Sequence, residues 1–274
     1  MYQVPASRVH PICIVFLLDQ SQSMSEPISG STTPKAIVLA EVVNNALYEL
    51  ILRTVKDPRE GPRHYYDIGL IGYSDEAHHL FSGPLAGRSL VSNAELAKSP
   101  VRVDTVDAGG GRMAKKPVFV EPVSKGWTKM CEALDLCGGL VNQWLQQPGH
   151  QNSFPPIVVN VSDGEATDGD PTEWSRRLRS LGTTDGNLLF FNVSLSSEAV
   201  APLFFPTPGT PLPDNYSAQL FSMSSELPAF MADAAARQGL QVNAGARGFV
   251  CNADIKALVT ALQIGTAPTP GGVR

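Results

Sequence analysis

Long apolar runs, basic clusters and closely spaced cysteines are missing from this 274-residue sequence, and each absence removes a class of function. The first apolar stretch, residues 12–18, is too short to span a bilayer and ends at Asp19. No basic segment or small-residue cleavage site accompanies it, so it does not read as a secretory leader. The expectation is a cytoplasmic chain without membrane contact. Charge is scarce as well: Asp, Glu, Lys and Arg make up 17% of the chain, against about a quarter in an average protein. A net charge of −5 with no basic run argues against nucleic acid as a partner. Cys13, Cys131, Cys137 and Cys251 form no close group with histidine that suits zinc, and they read as small buried apolar residues. The 24 glycines and 22 prolines exceed the norm only modestly, which excludes collagen-like and low-complexity chains, and no internal repeat is visible.

What is present is a series of continuous apolar runs bounded by turn residues: 12–18, 68–73, 157–161 and 188–195, with a weaker run at 220–223. Runs without alternation suit parallel strands covered on both faces. Helical periodicity fills the intervals. One helix is expected after Thr33, with Pro34 in its first position and Leu39, Val43, Leu47, Leu50 and Ile51 on one stripe. A second follows Thr128 and stops at Pro148–Gly149; a third runs from Pro171 to Gly182, capped by Asp170. Two shorter ones fit 225–237 and 253–262. Strand–helix alternation of this kind implies an α/β fold with a doubly wound, mostly parallel sheet and helices on both faces. His78–Phe81 reads as one antiparallel edge strand. The expected organisation is an N-terminal tail over 1–9, one domain over 10–265 with long loops near 83–125 and 200–216, and a disordered tail over 266–274.

In such sheets ligands bind beyond the carboxyl ends of the strands, which directs attention to Asp19, Ser74, Asp163, Ser196 and Ser224. Asp19-Gln20-Ser21-Gln22-Ser23 follows the first strand, and its alternate positions converge on one point. Hard oxygen donors at that spacing suit Mg²⁺. Asp163 follows another wholly apolar strand, with Gly164 allowing a sharp turn, and Thr128 opens a helix. Singly, each has a plain reading, as a polar turn, a turn residue and a helix cap. Together they fall at one edge of one expected sheet.

Asp19-x-Ser21-x-Ser23, then Gly126-x-Thr128, then Asp163-Gly164 in that order resembles a von Willebrand factor type A domain with its metal-ion-dependent adhesion site, over roughly residues 10–265. The resemblance implies direct metal contact from Ser21, Ser23 and Thr128, with Asp19 and Asp163 often acting through water. It implies Mg²⁺ as the cofactor, with Mn²⁺ or Ca²⁺ as substitutes, and a protein partner whose Asp or Glu completes the metal shell. Residues 219–225, 247–250 and 264–266 are similar to stand-alone bacterial members of the family. Many of those lack a signal sequence and act as scaffolds beside MoxR-type AAA+ ATPases, kinases or phosphatases in stress, defence or signalling assemblies.

No catalytic role is expected. The rival reading is a Mg²⁺-dependent hydrolase or phosphotransferase using the same cation, with Glu165 or Asp168 as base. A haloacid dehalogenase pattern fails because Ser21 stands where its acid/base aspartate belongs. Ser74 lacks the second glycine of a hydrolase elbow, and Gly109-Gly110-Gly111 is followed too soon by Pro117 to open a phosphate-binding helix. The 109–111 run therefore reads as a flexible loop, His78–His79 as structural or solvated, and Asp170 as a helix cap in preference to a second cation site shared with Asp168.

Overall fold

The computed structural model of the protein describes residues 1–57, 59–107 and 110–267. Its strands are β1 (Ile12–Asp19), β2 (Tyr66–Tyr73), β3 (Ala77–His79), β4 (Val91–Ser92), β5 (Arg102–Asp107), β6 (Met113–Val118), β7 (Ile157–Ser162), β8 (Gly182–Thr183), β9 (Gly186–Asn187), β10 (Leu189–Leu195), β11 (Leu203–Phe204) and β12 (Phe249–Ala253). Its helices are α1 (Lys35–Arg53), α2 (Asn93–Lys98), α3 (Met130–Leu145), α4 (Thr172–Ser180), α5 (Asn215–Met223), α6 (Ala229–Arg237) and α7 (Ile255–Gly265). The main sheet runs β11-β12-β10-β7-β1-β2-β3, with β4 also on β2. β12, β10, β7, β1 and β2 are mutually parallel.

β1 lies in the middle, and all eight of its residues are buried. Ile12, Ile14, Phe16 and Leu18 face a core shared with α1, α6 and α7, while Cys13, Val15 and Leu17 face the core of α3, α4 and α5. Burial on both faces is why the run shows no polar alternation, each large apolar side chain contributing about 1.5–3 kcal/mol relative to exposure. Burial also pushes the thiols of Cys13, Cys137 and Cys251 above their usual range and that of Cys131 up to about 12, as expected of packing residues.

A line of polar groups crosses this apolar interior. The Tyr73 hydroxyl donates to Asn160 Oδ1 at 2.8 Å, Asn160 Nδ2 to Asn192 Oδ1 at 3.0 Å, and Asn192 Nδ2 to Ser224 Oγ at 2.9 Å. All four residues are buried, and each step of the line is satisfied.

The mostly parallel sheet between helices is as expected, and the antiparallel edge strand expected at 78–81 is β3, at Ala77–His79. Two further short antiparallel strands join the sheet: β4 on β2, and β11, which closes the other edge inside the segment 200–216 expected to be a loop. The 83–125 excursion is not irregular. It holds β4, helix α2 with a complete Ser92/Glu95 capping box, and the β5–β6 hairpin. Gly110 and Gly111, both at positive φ, belong to the link between β5 and β6, so they serve a hairpin rather than a flexible loop; Gly109 lies outside the described residues. The run at 220–223 is the end of helix α5 and not a strand, because Asp214 caps that helix through the Ser217 amide.

The N-terminal segment is docked. Asp185 Oδ2 accepts the Gln3 and Val4 amides, and Ala6 is buried. Thr266 and Ala267 are buried too, Thr266 accepting a hydrogen bond from Arg53 through its carbonyl; the rest of the expected tail, 268–274, lies outside the described residues. Among the described residues no helix is long and apolar enough to cross a membrane.

Candidate metal centre

The parallel pairing of Leu18 with Val161 sets the ends of β1 and β7 side by side, so Asp19 and Asp163 leave the sheet as neighbours. Backbone bonds then stitch three loops together. The Gln22 amide donates to the Gly126 carbonyl, Lys125 to Gln20, and Thr167 to Thr128. Gly126 takes a φ of +72°, and a Cβ there would meet Asp75 Oδ1 at 2.4 Å. That same carboxylate oxygen accepts the Trp127 amide at 3.2 Å, so the approach to Thr128 requires glycine.

Within this frame Asp19 is buried and fully engaged. Its Oδ1 accepts the Ser21 amide at 2.8 Å and its Oδ2 the Ser162 hydroxyl at 2.6 Å. Burial dominates its ionisation and lifts its pKa to about 6, with the Asp163 charge adding to the rise and the bonds from Ser162 and Ser21 opposing it. The Ser21 and Ser23 hydroxyl oxygens stand 3.1 Å apart, and Ser23 donates to Asp163 Oδ1 at 2.6 Å. The other oxygen of Asp163 accepts from the Lys35 ammonium at 2.8 Å.

Asp19, Ser21, Ser23 and Asp163 thus form one group, with Thr128 buried beside them at the stitched junction. Thr128 is not the cap of α3. The first-turn amides of Cys131 and Glu132 go to the two oxygens of Asp168, while the Thr128 amide itself goes to Thr167 Oγ1. Asp170 likewise accepts the Thr172 amide and a bond from Gln219. Asp168 and Asp170 therefore serve helix starts and do not form a second cation site. His78 and His79 stand half-buried on β3, and each has an Nδ1 without a partner among the described residues.

The donor set fits a hard divalent cation. Adjacent oxygens around a cation bound at about 2.1 Å lie about 3 Å apart, close to the Ser21–Ser23 spacing. Ser23 spends its only proton on Asp163, which leaves its lone pairs for a cation. The Tyr216 hydroxyl has its pKa raised mainly by burial, with Ser162 opposing the rise and the Asp19 and Asp163 charges adding to it; among the described residues Gln20 Oε1 is buried without a partner. Among the described residues no three His, Cys, Asp or Glu side chains converge, so the site offers hydroxyls and two carboxylates rather than the nitrogen and sulfur of a typical zinc site.

Two contributors were not anticipated. Ser162 holds Asp19, and Lys35 holds Asp163 while also pairing with Glu26 at 3.1 Å. Lys35 had a signal: a cation in the first position of a long helix opposes the helix dipole and needs a reason.

No family model matches the sequence, and no curated protein matches it. Solved structures do. The chain is similar to proximal thread matrix protein 1 of the mussel byssus at 14% identity over 93% of this chain and 47% of that one, with a TM-score of 0.49. A form of that protein with a zinc-occupied MIDAS motif aligns at 15% identity over 94% of this chain and 46% of that one, with a TM-score of 0.47. BatB of Bacteroides thetaiotaomicron aligns at 14% identity over 93% of this chain and 98% of that one, with a TM-score of 0.45. A von Willebrand factor type A protein of Catenulispora acidiphila aligns at 13% over 68% and 33%, with a TM-score of 0.38. The chain spans about half the length of the mussel protein.

Proposed function

We propose that this chain is a divalent-metal-dependent protein-binding module whose partner supplies an Asp or Glu carboxylate to a metal held by Ser21, Ser23 and Thr128, with Asp19 and Asp163 behind them. The observation that carries this reading is the Ser23–Asp163 and Ser21–Asp19 bonding, which positions hydroxyl oxygens around one point and keeps both carboxylates behind them. When bound, Mg²⁺ would supply an open coordination position that favours an anionic oxygen, because neutral hydroxyls leave much of its charge uncompensated. The chain's residues orient those hydroxyls, withhold water from Asp19 by burial and fix the Thr128 loop through Gly126 and Asp75. Mn²⁺ or Ca²⁺ would substitute.

The module is read as non-catalytic: of the two candidate bases, Asp168 spends both oxygens on amides, which leaves the exposed Glu165. We place it in the cytoplasm of a bacterium, as a scaffold for a MoxR-type ATPase or a kinase or phosphatase in a stress, defence or signalling assembly. This placement rests on the likeness of the sequence to stand-alone bacterial proteins. An affinity pull-down from the native cell in Mg²⁺, eluted with EDTA, tests the reading. Release of a partner by EDTA is expected. Retention after chelation, or Mg²⁺-dependent phosphoester turnover that Asp19→Ala abolishes, would overturn it.

A further inference from the structure

Lys35 is 3% exposed and occupies the first position of the 19-residue helix α1. Both facts count against a lysine there. Burying an ammonium costs several kcal/mol unless it is paired, and the positive end of a helix repels it. Its compensation is Asp163 Oδ2 at 2.8 Å and Glu26 Oε2 at 3.1 Å. The backbone builds this contact, since the Lys35 amide donates to the Glu26 carbonyl and Pro27 bridges Pro34, closing the 26–35 loop on itself. A residue that breaks two local rules and is repaid at its shortest contact by a metal-site carboxylate has a role at that site.

We infer that Lys35 is a tethered counter-cation that lowers the affinity of the site for metal and, once metal is bound, raises its affinity for a carboxylate. The inference rests on the metal-site reading above. Asp19 and Asp163 alone would neutralise a divalent ion. The Lys35 ammonium offsets the Asp163 charge directly beside the ion, while Glu26 on its other side is largely exposed and screened by water, so part of the ion's charge stays unmet where a partner's carboxylate arrives. The side chain also occupies one oxygen of Asp163, while Ser23 occupies the other, which favours a metal contact from Asp163 through water rather than a direct one. Lys35 and the start of α1 therefore form a positive back wall that trades retention of the ion for attraction of the anionic ligand. Recognition of the partner is strengthened by a residue that never touches it.

The test is calorimetric titration of Mn²⁺ into the chelator-treated full chain, followed by titration of acetate into the Mn²⁺-loaded chain read by water-proton relaxation. Lys35→Met should bind Mn²⁺ on the order of ten-fold tighter and acetate several-fold weaker, with Lys35→Arg near the parent chain in both. Glu26→Gln, at a largely exposed position, leaves the ammonium wholly to Asp163 and should weaken Mn²⁺ binding by about three-fold, which keeps the test alive if Lys35→Met does not fold. Unchanged or weaker Mn²⁺ binding by a folded Lys35→Met, unchanged acetate binding, or unchanged Mn²⁺ binding by Glu26→Gln overturns the role of Lys35. If the parent chain takes up no Mn²⁺ but Lys35→Met does, the lysine stands as a counter-cation and the metal-dependent function falls. If neither binds, both fall.

Discussion

At the scale of single residues, Asp19 is a liability to the metal-free fold. Its carboxyl ionises at about 6 in the folded chain and near 3.8 in a free one, so the unfolded chain gives up the proton first. The metal-free protein therefore loses stability as pH rises from about 4 to about 6, by on the order of 3 kcal/mol at most. Asp19→Asn removes that ionisation. The variant should melt at a higher temperature than the metal-free parent at pH 7, show a flatter pH profile between 4 and 6, and lose uptake of Mn²⁺. A variant that melts lower at neutral pH would contradict the burial argument. Asp19, Ser21, Ser23, Thr128 and Asp163 were legible because their order and their positions after apolar strands are local features. Lys35 and Ser162 were not, because each acts on its carboxylate across more than a hundred residues of sequence.

Among the elements, legibility followed burial. β1, β2, β7 and β10 announced themselves as apolar runs because both of their faces are covered. The β5–β6 hairpin did not, since most of its residues are exposed on both faces and Arg102, Asp104, Lys115 and Lys116 carry no alternation to read. α5 was misread in part from Leu220, Phe221 and Met223 at its end, although Asp214 three positions before Ser217 was a usable cap signal. The hairpin is fastened where its second strand leaves. Asn44 of α1 accepts the Phe119 and Val120 amides and donates to the Val120 carbonyl, at 2.8–2.9 Å. Asn44→Ala removes all three bonds from a buried position and should cost about 2–3 kcal/mol. Thermal denaturation gives the loss, and faster hydrogen exchange at Phe119 and Val120 would locate it. Unchanged exchange at those amides would assign the anchoring elsewhere.

For the molecule as a whole, the proposed function asks a chain of net charge −5 to attract an acidic partner, which requires a local reversal of sign, and a metal-loaded edge would supply it. Metal binding and folding are then linked. A ligand that binds only the folded chain stabilises it by about 2.7 kcal/mol at a hundred times its dissociation constant. Saturating Mg²⁺ should raise the melting temperature of the parent chain by several degrees and leave that of Asp19→Asn unmoved. Equal shifts in both would point to a site elsewhere. Exposed Trp127, beside Thr128, provides a fluorescence reading of the same titration.

The buried line from Tyr73 through Asn160 and Asn192 to Ser224 has a consequence of another kind. Strands that are apolar on both faces carry little information about alignment, because sliding one past its neighbour still buries greasy side chains. Asn160 and Asn192 are direct register partners on β7 and β10, and each amide is satisfied only in that alignment. Any slip strands two buried amides and a tyrosine hydroxyl without partners, at about 1–3 kcal/mol apiece. The polar line thus serves as an alignment key in a sheet whose greasy faces alone could not tell one setting from the next. It also ties the setting of β7, and with it the point where Asp163 emerges, to the neighbouring strands.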